Sequence, residues 1–308
     1  MRIPVIMDCD PGHDDAIALL LAFANKKLDV KAVTIVAGNQ TQEKTLNNAL
    51  KVLSFAGIDV PVGRGSDKPL MRDLIIAPEV HGDSGLDGPE LPEPTLKEHE
   101  IPAVELIAKI VKESEEKVTL IPTGALTNIA KFLLCYPELK GKIERISLMG
   151  GACFGGNWTP AAEFNILVDP EAADIVFKSG IPITMCGLDV THKALIYQED
   201  IDRIRDLGGK VAVMVAELLD FFSKFHGQMG FEGSPLHDPC AVAWVIDPSI
   251  ITTKKLHVAI ETKGEHTLGA TVVDYYDVLK KEKNVDVAFD IDRERFVDML
   301  VEALQQYN

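Results

Sequence analysis

Short apolar runs and longer amphipathic stretches alternate along this chain. "IPVIMD" (3–8) is short, apolar and β-branched, and reads as a buried strand. "DDAIALLLAFAN" (14–25) is apolar almost all round, which predicts a helix buried on most of its surface. "LDVKAVTIVAG" (28–38) predicts a second strand ending at Gly38. "TQEKTLNNALKVLSFAG" (41–57) predicts an amphipathic helix between a Thr41 N-cap and a Gly57 stop, and "IDVPVGRG" a third strand. The rhythm resumes with helices at 103–114, 126–137, 169–180, 198–226 (broken at "GGK") and 238–247. Strands are expected at 117–124, 143–151 and 181–187, then in "KKLHVAIET", "ATVVDYY" and "NVDVAFD", before a closing helix, "RERFVDMLVEALQQY".

Such alternation predicts βαβ units and an α/β fold: one domain over 1–308, with a mostly parallel, Rossmann-like open sheet flanked by helices. No repeat or linker divides it. The exception to the rhythm is 64–100, rich in Gly, Pro and Asp, and a stretch of this length inside a compact domain is often a functional lid. Open parallel sheets bind ligands at the carboxyl ends of their strands. Four polar clusters fall at such ends: Asp8 to Asp15, Gly38–Asn39, Thr123–Gly124, and Met149 to Asn157. They are expected to converge on one crevice.

Composition narrows the partners. With 47 acidic against 31 basic residues the net charge is −16, which disfavours a nucleic-acid surface but not a cation ligand. The 5 cysteines are scattered and form no C-x-x-C pair, so neither a disulfide framework nor a zinc knuckle is expected, and a reducing cytoplasm is the natural setting. The apolar run before Asp8 is too short for a signal-peptide core, and no run is long enough to span a membrane.

The chemistry is concentrated in "DCDPGHDD", where Asp8, Asp10, Asp14 and Asp15 fall together. Two like charges ~4 Å apart repel by about 4 kcal/mol at an effective dielectric near 20. A helix N-terminus offsets only ~0.3–1 kcal/mol per carboxylate. A hard divalent cation would offset the rest, and an oxygen-only ligand set suits Ca²⁺ or Mg²⁺. Asp14 and Asp15 open a helix and diverge by about 100°, so Asp10 and Asp15 can grip an ion while Asp14 faces elsewhere. The plainer alternative is that one or two of the aspartates cap the helix and the others are solvated.

Together, "DCDPGHDD", "GN" (38–39), "PTGALTNIA" (122–130), "MGG" (149–151), "GNWTPAAEFNILVDPEAA" (156–173) and "HDPCAVAW" (237–244) closely resemble the motifs of the inosine-uridine-preferring nucleoside hydrolase family. Within it, the chain looks most like the bacterial pyrimidine-preferring ribonucleoside hydrolases. The resemblance covers nearly the whole length. It implies hydrolysis of the N-glycosidic bond of a ribonucleoside, with one Ca²⁺ per subunit held by Asp10, Asp15, Asp238 and the Thr123 carbonyl. Asp14 is then the general base, and the substrate pocket comprises Asn39, Met149, Asn157, Glu163, Phe164 and Asn165. Glu163 and Asn165 share a face if "EFN" is extended. His237 and His81 are the candidates to protonate the leaving base, with His13 a weaker one, and the residues do not choose among them. The segment 221–233 is expected to close over the base, with Phe225, His226, Gln228 and Phe231 as contacts. Purine-specific relatives sandwich the base between tryptophans, one of them in the segment matching 81–86; here Asp83 stands in that segment, and Trp158 and Trp244 are the only tryptophans. A homo-oligomer, tetramer or dimer, is also implied.

Two other readings use the same residues. A calcium-dependent nucleoside or ribose sensor would keep the pocket without turnover. A haloacid-dehalogenase-type phosphatase would use Asp8 as nucleophile and Asp10 as acid, but Gly12 stands where that type carries Thr or Val, and "HDPC" goes unused.

Overall fold

The computed structural model describes residues 2–308. Its strands are β1 (Ile3–Cys9), β2 (Leu28–Ile35), β3 (Val62–Arg64), β4 (Val118–Pro122), β5 (Ile143–Met149), β6 (Ile183–Cys186), β7 (Leu195–Ile196), β8 (Ser234–Pro235), β9 (Ile251–Leu256), β10 (Val258–Ile260), β11 (Thr271–Val273) and β12 (Val285–Ile291). Its helices are α1 (His13–Ala24), α2 (Gln42–Ala56), α3 (Pro78–His81), α4 (Ala103–Glu113), α5 (Thr127–Cys135), α6 (Phe164–Val168), α7 (Pro170–Phe177), α8 (Leu188–Thr191), α9 (Gln198–Arg205), α10 (Lys210–Gln228), α11 (Pro239–Ile246) and α12 (Arg293–Leu304). Eight strands form the central sheet in the order β3-β2-β1-β4-β5-β6-β12-β9. Every pairing in it is parallel except that of β9, which lies antiparallel on the edge strand's side of β12.

Strand periodicity divides the core. Val5, Met7 and Cys9 of β1 point into a cluster with α1, α2, α10, α11 and α12, whereas Ile6 points into one built with α4, α5 and α7. Both faces of the sheet are thus covered, which is why β1 is an unbroken apolar run. The near-uniform burial of α1, from His13 to Ala22, fits its all-round apolarity: it packs against α11 and α12 as well as the sheet.

The period of two also removes one aspartate from the acidic knot. Asp8 shares its face with Ile6, so it points away from Cys9 and towards α5. Its Oδ1 accepts from Thr34 Oγ1 (2.5 Å) and Asn128 Nδ2 (2.8 Å).

Three departures from the expected elements have local causes. "EFN" is not extended: Glu163 is the N-cap of α6, its carboxylate accepting from the Asn165 and Ile166 amides. "KKLHVAIET" breaks at His257, so β9 joins the main sheet while β10 pairs with β11. The segment 64–100 is not structureless throughout, because it carries α3 and is tied down by Gln40, Lys44 and Asn48, which donate to the carbonyls of residues 82–84.

Gly57 ends α2 in the left-handed region (φ 71°) with open space where a Cβ would sit. Gly57→Ala should therefore cost about 1 kcal/mol through backbone strain alone. Gly141→Ala, equally open but without a positive φ, should leave stability within ~0.5 kcal/mol. Urea unfolding of the two variants checks this, and equal midpoints would contradict it.

Candidate active site

The chain runs outward from β1 to β3 and then returns to β4 on the other side of β1. That reversal leaves a crevice at the carboxyl end of β1, and the loop after β1 carries Asp10 into it. Helix α1 starts there with Asp14 and Asp15 in its first turn. The loops after β2 and β4 bring Asn39 and Thr123, the end of β5 brings Met149, and Asp238 caps α11 with His237 before it.

The crevice widens into a cavity of about 570 Å³. Of the site residues read from the sequence, Asp14, Asn39, His81, Thr123, Met149, Asn157, Glu163, Phe164, Asn165, His237 and Asp238 line it, whereas Asp10, Asp15 and the weaker candidate His13 do not. Asp10 and Asp15 lie fully buried against its floor. Asp15 Oδ1 accepts from Thr123 Oγ1 (2.7 Å), and its Oδ2 from the Gly12 amide and Asn39 Nδ2 (both 3.1 Å). Asp10 Oδ2 accepts from the Asn39 amide (2.8 Å), while its Oδ1 is buried with no partner. A Cβ on Gly38 or Gly124 would collide with the Asp10 carboxylate, so both positions must be glycine for the strand ends to close on it. Asp14, Asp15 and Asp238 each offer an oxygen within 4.8 Å of the others. The divergence expected of Asp14 and Asp15 as helix neighbours is thus offset by side chains bending to a common point.

Electrostatics follow from burial. Asp14 is pushed up to about 7, first by burial and then by Asp15. Asp10 and Asp238 are driven well above the carboxylate range by burial and by the other aspartates, and Asp15 is raised by burial.

Histidines and aromatics form the rest of the wall, with His13 stacked on His81 but not itself lining the cavity. His13 Nε2 donates to the Asp87 carbonyl (2.7 Å) and its Nδ1 lies 3.2 Å from His81 Nδ1. His237 Nδ1 meets Thr191 Oγ1 at 2.8 Å. Burial depresses the basicity of His13 to about 4 and holds His81 and His237 well below the usual range, so all three are neutral imidazoles at neutral pH. From 221–233, Phe225, His226 and Phe231 line the cavity as expected, but Gln228 points to solvent. Trp158 lines it too, tilted on Phe164 with ring centroids 4.7 Å apart; Trp244 lies elsewhere, under Arg145. Sequence reasoning missed His192 and Phe222. Phe222 could have been found at one helical turn from His226; His192, in a short turn after β6, carries no sequence signal.

The other polar residues are held firmly. Glu163 accepts from the Gly151, Asn165 and Ile166 amides and is pushed up to about 7 by burial. Asn165 Nδ2 donates to the Thr123 carbonyl (2.7 Å), and Asn157 Oδ1 accepts from the Phe164 amide (3.0 Å).

An open α/β sheet with buried carboxylates at its switch point, beside neutral histidines and fixed amides, forms a site suited to a small polar ligand. The sequence model of the inosine-uridine preferring nucleoside hydrolases matches residues 5–298. The chain is 59% identical over 310 residues to the pyrimidine-specific ribonucleoside hydrolase RihA of Photobacterium profundum, and 57% identical to that of Escherichia coli, with 100% of each chain covered. A solved structure, the purine-preferring ribonucleoside hydrolase from Gardnerella vaginalis, superposes with a TM-score of 0.93 at 33% identity, covering 99% of this chain and 98% of that one. The chain belongs to the inosine-uridine preferring nucleoside hydrolase family and is an N-glycosyl hydrolase. No helix among the described residues is long and apolar enough to cross a membrane.

Asp8, Asp14 and Glu163 are each pushed up to about 7. Each folded value lies above the unfolded one, so its contribution to stability is full below about pH 4 and is lost as pH rises through about 7, at about 1.4 kcal/mol per unit. The melting temperature of chelator-treated protein should fall between about pH 5 and pH 8, and Ca²⁺ should raise it more at the higher pH. A calcium effect independent of pH would contradict this.

Proposed function

We propose that this hydrolase cleaves the N-glycosidic bond of pyrimidine ribonucleosides, uridine and cytidine, giving ribose and the free base with the help of one Ca²⁺. The all-oxygen donors fit that ion, and the partnerless Asp10 Oδ1 marks where a ligand is wanting. Asp10, Asp15, Asp238 and the Thr123 carbonyl would hold it. Bound there, a hard dication supplies positive charge that attracts ribose hydroxyls and acidifies water.

Asp14 belongs to the carboxylate cluster yet lines the cavity, and it takes the proton of the attacking water. The water oxygen joins C1′ as the bond to the base breaks and its electrons leave with the base, through a transition state of oxocarbenium character. Asn39, Glu163 and Asn165 orient the sugar, and Asn157 and Phe164 pack at its rim. His237 and His81 stand on the same cavity wall to meet the departing base as neutral imidazoles. The pyrimidine choice is supported by the names of the two RihA relatives.

The observation that carries this reading is the meeting of Asp14 with Asn39, Glu163 and Asn165 in one cavity. Its test is ribose release from uridine, cytidine, inosine and 2′-deoxyuridine, with Ca²⁺ and with chelator. Uridine and cytidine should be cleaved fastest, and deoxyuridine at least ~10²-fold more slowly, because a site built around a hydroxyl rejects the analogue lacking it. Inosine as the best substrate would overturn the pyrimidine assignment, and full activity in chelator the ion. Asp14→Ala should keep uridine affinity within a few-fold and lose at least ~10²-fold in kcat; near-normal kcat would remove Asp14 as base.

A further inference from the structure

The Glu163 carboxylate accepts from two amides of its own helix, Asn165 (2.9 Å, on Oε1) and Ile166 (3.2 Å, on Oε2). These turn with α6 and cannot fix the carboxylate against the rest of the cavity. The Gly151 amide, 2.8 Å from Oε2, can, because it belongs to the loop after β5.

What holds Gly151 in place lies away from the cavity. The next residue, Ala152, is buried, and both of its main-chain polar groups meet one side chain. Its amide donates to Thr271 Oγ1 (2.8 Å), and its carbonyl accepts from that same Oγ1 (2.6 Å). A hydroxyl does both at once, having one hydrogen and two lone pairs. Thr271 is on β11, in the β10-β11 pair outside the main sheet, and it does not line the cavity. The pair has a firm footing. Thr271 is in register with Ile260 of β10, and Val258 and Ile260 are buried in the cluster that holds Ala172, Ala173 and Val176 of α7. From the other side the Leu188 amide donates to the Gly151 carbonyl (2.9 Å). The loop is thus gripped by the scaffold through its remaining polar atoms, and the Gly151 amide is the one turned to Glu163.

We propose that Thr271 is a positioning residue for ribose binding. Its hydroxyl pins Ala152, the adjoining Gly151 amide is thereby aimed at Glu163, and Glu163 meets the sugar. This inference rests on the reading of Glu163 as a sugar contact and is independent of which base the enzyme prefers.

The test is a double-mutant cycle on kcat/KM for ribose release with Ca²⁺ present, on whichever of uridine, cytidine and inosine the wild type cleaves fastest. Thr271→Val keeps the shape of the side chain and removes the hydroxyl. It should lower kcat/KM roughly tenfold, the usual worth of one hydrogen bond. Thr271→Ser keeps the hydroxyl and should stay within about threefold of the wild type. In a Glu163→Ala background, Thr271→Val should change kcat/KM by less than about twofold, because its route to the sugar is gone. The urea midpoint should fall with Thr271→Val in both backgrounds, since the Ala152 amide and carbonyl lose their partner in each. Lost stability therefore cannot account for an activity loss confined to one background. Thr271→Cys, whose thiol bonds only weakly, carries the same cycle if the valine variant does not fold. Unchanged kcat/KM in Thr271→Val, an undiminished loss in the Glu163→Ala background, or a serine variant as impaired as the valine one overturns the inference alone. Unchanged kcat/KM in Glu163→Ala overturns it together with the sugar-contact reading, and no ribose from any nucleoside overturns both with the proposed activity.

Discussion

The structure turns on the burial of like charges at the end of one central strand. Asp10, Asp14, Asp15 and Asp238 are all buried, and burial pushes each towards protonation, the other aspartates adding to it at Asp10, Asp14 and Asp238. A folded chain tolerates such a knot only where something offsets the repulsion. Here backbone amides, Thr123 and Asn39 satisfy part of it, and the bare Oδ1 of Asp10 shows that the protein leaves part of it open. The energetic cost of the site is what the proposed cation would offset.

The sheet topology makes the knot possible. Asp238 comes from more than two hundred positions after Asp10, yet the strand reversal beside β1 brings α11 against α1. Small residues finish the closure: Gly38 and Gly124 admit the Asp10 carboxylate from two sides. The Asn39 amide ties the loop after β2 to Asp10, the Thr123 hydroxyl ties the loop after β4 to Asp15, and the Asn165 side chain ties that same loop to α6. The polar groups of the cavity, carried on separate loops, are thereby held by short hydrogen bonds to main chain and to small side chains and are positioned before a substrate arrives.

The opposite wall works by a different rule. It is aromatic and imidazole-rich, with ring on ring from His13 through Phe222 to His226 and Phe231. Burial keeps these histidines neutral, so they act as oriented hydrogen-bonding rings and not as charges. One cavity therefore pairs a strongly polar floor with a dry wall, the division a nucleoside itself shows between ribose and base.

Much of this was legible in the residues. The alternation of apolar runs fixes an open parallel sheet, since strands buried on both faces must be apolar throughout. "DCDPGHDD" at a strand end announces a concentration of buried like charge, and the assembled motifs identify the family. What the linear order leaves undecided is direction. Asp8 looks like a member of the knot but faces α5, because strand side chains alternate and only pairing says which face is which. "EFN" reads as an extended stretch, yet Glu163 is the acceptor at a helix start, held there also by the distant Gly151 amide. His192 carries no local mark of its place in the cavity, and the tautomer of His226 depends on a carbonyl one turn back. Residue types determine which chemistry is available; only packing decides which atoms face one another, because that depends on neighbours distant in sequence.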